Sequence, residues 1–325
     1  MESINKISVK KLLWDKEIVN SRLELNIQGK NINNTILNTL RRIGTTYVPI
    51  YAFTNIDITE NTSIFNNNYL KLRLSNLPVF GIETDTNIFV KEEIQVNKID
   101  DVTLNMDDVD MRIDDQVNIS TLKQLTMYLE YHNQTTNIVT VGTNDCKFYF
   151  REKQIKTPYP VNIPIVKLQS GQKIKLSAIT RLGTEEESSI FSPVSIFTFR
   201  EKENNNYDLI LESRGQINEK KILDIIYHNI INQLDKFYES IPSTKELEGT
   251  MSLENADHTL GNIISNGLQS HTSVEFGGYN MPHPLGNNIL FHYKLKSSNI
   301  EKILQDIVNY YKQLFTKLNV EIQNM

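Results

Sequence analysis

Five aspartates crowd one short stretch, Asp107, Asp108, Asp110, Asp114 and Asp115. Carboxylates at such density hold hard divalent cations through oxygen. The spacing suits neither common ion. It lacks the glycine and the alternate carboxylates that an octahedral magnesium loop would favour, and Ile119 falls where a calcium loop needs its bidentate glutamate. A solvated acidic loop is the better reading. Asp257 beside His258 has the residue types of a general-base pair, but neighbours at a helix start point in different directions. Asp257 then reads as a helix cap and His258 as a polar contact of the turn. Cys146 is the single thiol and has no base near it in sequence. No glycine-rich phosphate loop follows a strand. The sequence therefore points to no catalytic residue, no metal and no cofactor. Arg41-Arg42 is chemistry of another kind. A guanidinium fork binds carboxylates and carbonyls at several points, although cations near a helix C-terminus are also ordinary solvated charges.

The elements that place these residues follow from periodicity. Leu23, Leu25 and Ile27 alternate on a strand. Ile32, Ile36, Leu40 and Ile43 then recur at helical spacing, with Asn33 or Asn34 to cap and Gly44 where the helix should stop. β-rich runs are expected over 51–59 and 63–77. Ile174, Leu176 and Ala178 mark another strand, and a long helix with a broad apolar stripe is expected over about 218–239. Near the end, Asp257 caps a helix carrying Leu260, Ile263, Ile264 and Leu268. A β segment turning at Gly277-Gly278 and an alternating strand from Ile289 follow. The last helix, from about Ser298, has an apolar side too wide for one thin sheet to cover.

Two of these stretches share a pattern. Thr35 to Asn38 and Thr259 to Asn262 both read Thr-(Ile/Leu)-x-Asn, each after a strand and at the start of a short capped helix. The order strand, capped helix, further β structure, long amphipathic helix occurs twice. The expected fold is α+β: two related α/β dimerisation units fused in one chain as an intrachain pseudo-heterodimer, with a mostly β insert in the first. The expected boundaries are 1–82 and 165–242 for the large unit, 83–164 for the insert and 243–325 for the small unit.

Composition agrees with a protein partner more than with nucleic acid. Lys and Arg number 34 against 39 Asp and Glu, a net charge of −5, so no global field draws the chain to phosphates. One cysteine excludes a disulfide framework and fits a reducing compartment. The first residues show no apolar signal core, and no run of about eighteen apolar residues occurs, so no membrane association is expected.

The chain resembles the α-type assembly subunits of multisubunit DNA-dependent RNA polymerases. The match rests on Asn38-Thr-Leu-Arg-Arg-Ile43, Val48-Pro49, Glu60-Asn-Thr-Ser63, Tyr69 to Val79, Ile165 to Ala178, Phe191-Ser-Pro-Val194, Asp257-His-Thr-Leu-Gly-Asn262 and Gly278-Tyr-Asn-Met-Pro-His-Pro-Leu285. Residues 1–240 are similar to the archaeal D subunit, the third subunit of polymerase II and, more remotely, bacterial α. Residues 245–325 are similar to the archaeal L subunit and the eleventh subunit of polymerase II. Fusion of the two is similar to the arrangement in nucleocytoplasmic large DNA viruses.

The resemblance implies a non-catalytic assembly subunit that docks the largest and second-largest polymerase subunits, contacts small accessory subunits and meets DNA only through the complex. It implies partner-binding roles for Asn38, Arg41, Arg42, Asn61, Thr62 and Arg73. It places Leu260, Ile264, Tyr279, Pro282, His283, Pro284, Ile307, Tyr311 and Leu314 in the intrachain dimerisation face and its turn. Arg42→Glu is then expected to leave the fold intact and weaken capture of the second-largest subunit. Cellular relatives often hold zinc or an iron–sulfur cluster in the insert; one cysteine builds neither. The implied location is intracellular: a viral cytoplasmic factory and virion, or otherwise nucleus or cytoplasm. The rival reading is a stand-alone nucleic-acid-binding transcription regulator.

Overall fold

The computed structural model describes residues 4, 6–16, 21–80, 82, 124–150, 153–203, 205–242, 246–254, 256–283, 286, 288–297 and 299–325. In chain order the strands are β1 (Ser8–Asp15), β2 (Arg22–Gln28), β3 (Ile50–Asn61), β4 (Leu125–His132), β5 (Val139–Gly142), β6 (Lys147–Phe150), β7 (Lys153–Ile155), β8 (Pro164–Leu168), β9 (Lys173–Gly183), β10 (Val194–Glu203), β11 (Asn206–Ser213), β12 (Glu248–Leu253), β13 (Val274–Asn280) and β14 (Ile289–Leu295). The helices are α1 (Asn34–Thr46), α2 (Asn67–Ser75), α3 (Glu219–Glu239), α4 (His258–Ser270) and α5 (Ile300–Gln323). The fold is α+β, in two compact units: Met1–Val48 with Pro193–Met325, and Pro49–Ser192.

The first unit contains two antiparallel sheets, ordered β1-β2-β11-β10 and β12-β14-β13. Alternation puts Leu23, Leu25 and Ile27 of β2 and Leu209 and Leu211 of β11 on the buried face. One core runs from Ile7 through α1, α3, α4 and β14 to Ile322 of α5, so the two halves of the sequence share their apolar interior. The long helices lie against each other. Lys220 pairs with Gln323, Asp224 with Asn319, Tyr227 with Thr316 and Asp235 with Lys312. Partners descend along α5 as they ascend along α3, so the helices run antiparallel. Every residue expected on the α5 stripe is buried. On α3 only Ile231 of the expected stripe stays half-exposed. Phe237, near the end of α3, reaches the small sheet with its ring 6.0 Å from that of Phe291.

Two local expectations change here. Gly44 does not end α1, which runs on to Thr46. It is a contact point: a Cβ there would lie 2.3 Å from the Phe197 ring and 2.7 Å from Ile226. Gly277-Gly278 does not turn the chain either; both lie within β13.

The second unit is built on a five-stranded antiparallel sheet, β3-β9-β4-β6-β7, beside the pair β5-β8. Its core includes Phe53, Leu70, Leu74, Met127, Phe148 and Leu168. This unit is wider than the 83–164 stretch set apart by composition, because β3 and β9 are strands of its sheet. Residues 165–192 accordingly belong to it. The β run expected over 63–77 is instead α2. Asn66 caps it by accepting the Tyr69 amide at 2.8 Å, and Leu70 and Leu74, one turn apart, are wholly buried. The aspartate-rich stretch 107–115 lies outside the described residues.

Candidate protein interface

The two motif helices have different caps. Asn33 caps α1 through one bond, from the Ile36 amide at 3.0 Å. Asp257 caps α4 with far more attached to it. Its Oδ1 accepts the amides of Thr259 at 2.9 Å and Leu260 at 3.2 Å. Its Oδ2 accepts the hydroxyls of Thr259 at 2.7 Å and Tyr47 at 3.1 Å. Arg42, on the last turns of α1, donates Nε to Thr259 Oγ1 at 2.9 Å and brings Nη2 within 3.7 Å of Asp257. One helix end of the first half is thereby tied to the helix start of the second.

Arg41 is held differently. Its Nε and Nη2 both donate to Asn38 Oδ1, at 3.1 and 2.9 Å, within α1. Asn38 also lines a cleft of about 270 Å³ with Asn34, Thr35, Thr39, Phe199, Thr259 and Asn262. The motif residues Thr35 and Asn38 thus face their counterparts Thr259 and Asn262 across a polar groove. Arg42, expected to bind a partner, keeps its side chain 40% exposed. Its fork is engaged within the chain, and a glutamate there would meet Asp257.

Leu260, Ile264, Ile307 and Leu314 are buried in the shared core. Tyr311 joins them and donates its hydroxyl to Asn266 Oδ1 at 2.9 Å; burial pushes its pKa up. The Tyr279 ring lies over Gly261, where a Cβ would come within 2.7 Å of it. Its hydroxyl meets His258 Nδ1 at 3.2 Å. Burial raises the Tyr279 pKa, with nearby Arg42 opposing and Asp257 reinforcing. Pro282 and His283 are exposed at the following turn, where Gly286 donates its amide to the His283 carbonyl. Pro284 lies outside the described residues.

Asn61, Thr62 and Arg73 lie in the second unit and are engaged in its local structure. Asn61 accepts the Ser63 amide and hydroxyl and donates to Phe65 O and Asn67 Oδ1. The Thr62 hydroxyl accepts the Lys173 amide at 2.7 Å. Arg73 Nη2 donates to the Pro164 carbonyl at 2.8 Å.

Sequence reasoning missed Tyr47 and Phe199. Tyr47 follows Ile43 at helical spacing, but its partner lies more than 200 residues away; periodicity carries no signal for such a contact.

No catalytic arrangement emerges at these positions. His258 contacts Tyr279, not Asp257. Cys146 is buried, and burial, with Asp145 adding to it, pushes its pKa up to about 12, so it stays a thiol. Among the described residues no cluster of His, Cys, Asp and Glu could hold a metal ion, and no helix is long and apolar enough to cross a membrane.

A family model described as the RNA polymerase Rpb3/Rpb11 dimerisation domain matches residues 248–321. The chain is 35% identical over 85 residues to the DNA-directed RNA polymerase II subunit RPB11 of Schizosaccharomyces pombe, covering 26% of this chain and 68% of that protein. The chain belongs to the Rpb3/Rpb11 family of RNA polymerase subunits. It is also 23% identical over 174 residues to the polymerase II subunit rpb3 of Dictyostelium discoideum, 52% of this chain and 51% of that one. One polypeptide is therefore similar to two separately named subunits of the family. A protein of Acanthamoeba polyphaga mimivirus assigned as a DNA-directed RNA polymerase subunit is 27% identical over 321 residues, 91% of this chain and 89% of its own.

Proposed function

We propose that this chain is a fused Rpb3-plus-Rpb11-type assembly subunit of a multisubunit DNA-dependent RNA polymerase of a large DNA virus. The first 242 residues, with their β-rich insert, take the Rpb3 part, and residues 243–325 the Rpb11 part, as an intrachain pseudo-heterodimer. The observation that carries this reading is the single core shared by both halves, with α3 antiparallel to α5. Fusion keeps the small half at an effective concentration on the order of mM without adding a contact. The subunit performs no bond-forming step; it presents rigid surfaces that dock the two largest polymerase subunits.

Within that reading the two arginines divide the work. Arg42 closes the two halves on each other, and Arg41, held by Asn38 on the cleft wall, faces the large partner. The test is co-expression with the two largest subunits of the same polymerase, followed by affinity purification. Wild type is expected to retain both, and Arg41→Glu to lose one while its melting temperature stays unchanged. Retention of both by Arg41→Glu would remove the docking role of that residue; failure of wild type to retain either would overturn the assembly reading.

A further inference from the structure

A separate corner of the first unit gathers positive charge. Trp14, the sole tryptophan, sits near the end of β1. Lys16 Nζ lies 4.0 Å from its ring, Lys220 Nζ 5.1 Å and Lys11 Nζ 6.0 Å. Three ammonium groups therefore converge on one aromatic side chain. The adjacent carboxylate, Glu219, is 1% exposed and spent elsewhere. It accepts Trp14 Nε1 at 3.1 Å and the Ser21 hydroxyl, and it sits in the first turn of α3, where the helix dipole favours a negative charge. No carboxylate among the described residues forms an ion pair with Lys11, Lys16 or Lys220. Burial, and then the charges of Lys11 and Lys16, lower the pKa of Lys220. Lys220 already serves the end of α5 through the Gln323 carbonyl; Lys11 and Lys16 have no such bond among the described residues. Beside them on β1, an edge strand, Leu12 is 51% exposed, while Leu13 lies on the opposite face, in a cleft with Asp15, Arg22 and Glu212.

We propose that this corner, with Lys11, Lys16 and Lys220 about Trp14 and with Leu12 alongside, binds an acidic, leucine-bearing segment of another protein. Charge complementarity selects the acid: carboxylates would relieve the mutual repulsion of the three lysines. The exposed Leu12 selects a peptide over a nucleic acid, since it offers an apolar anchor and no phosphate contact. The tryptophan argues the same way. A base needs an open aromatic face to stack on, whereas this ring is crowded by ammonium groups and its N–H is already used.

The sole tryptophan reports on its own site. A short peptide of Glu-Glu-Leu repeats, titrated into the full chain, is expected to change Trp14 emission saturably. Affinity should fall about tenfold or more as salt rises from ~0.05 to ~0.5 M, because the screening length shortens through the contact distance. Lys11→Glu/Lys16→Glu should abolish the response, and Leu12→Ser should weaken it. If the charge-reversed variant melts early, Lys11→Gln/Lys16→Gln takes its place. The proposal is overturned by no saturable change, by equal binding of a Gln-Gln-Leu peptide, or by a response to oligothymidylate and none to the acidic peptide.

Discussion

The two motif helices of the first unit began from one pattern and now differ where it counts. Superposing Thr35 on Thr259 and Asn38 on Asn262 places the cap Asn33 on the cap Asp257, Arg41 on Ser265 and Arg42 on Asn266. The helix with the arginines has a neutral cap; the helix with the charged cap has no arginines. Arg42 therefore finds its carboxylate only across the chain, on Asp257, while Asn266 turns inward to accept from Tyr311. Two identical copies could not divide these roles. Opposite charges on unequal twins make the cross-pairing unique, and they leave Arg41 on one side only, so a partner meeting that side meets a different surface from the other.

Leu314→Ala removes a wholly buried side chain from the shared core and should cost ~3 kcal/mol. Because both halves contribute to that core, denaturation of this unit followed by α3-specific and α5-specific probes should shift together; separate shifts would show two independent cores. Next come the caps. Asp257→Ala should cost ~2 kcal/mol and Asn33→Ala ~1 kcal/mol in urea denaturation, because only the former also releases Arg42 and Tyr47. Equal losses would mean that the cross-chain bonds contribute nothing.

The arginines should then separate. Arg42→Glu is expected to cost ~1 kcal/mol, modest because the pair is partly exposed, and Arg41→Glu within ~0.5 kcal/mol, as for an ordinary surface change. Thermal melts of the two variants side by side decide it, and the reverse order would reassign which arginine joins the halves. Smallest of all, Tyr47→Phe should cost ~0.5 kcal/mol through loss of its hydroxyl bond to Asp257.

Much of this was legible before any coordinates. Helical period placed α3, α4 and α5 within a residue or two, since their stripes are long and capped by Asn218, Asp257 and Asn299. The excess width of the α5 stripe pointed to a second helix as cover, and α3 packs against it. What stayed hidden had physical causes. Leu70 and Leu74 form a stripe too short to register as a helix, with Leu72 exposed between them and Tyr69 exposed just before. Gly44 reads as a stop signal, yet its missing Cβ makes room for Phe197, more than 150 residues on. The commitment of Arg42 depends on a hydroxyl and a carboxylate in the other half, and a local motif records only that a charge is present.

Within the first unit, residues before and after the 243–245 junction share one core. Expressing 1–242 and 246–325 as separate chains in one cell tests it most directly. Co-elution of the two pieces as a one-to-one complex, lost with Leu314→Ala, is the expected result. A small piece that elutes alone as a folded monomer would contradict it.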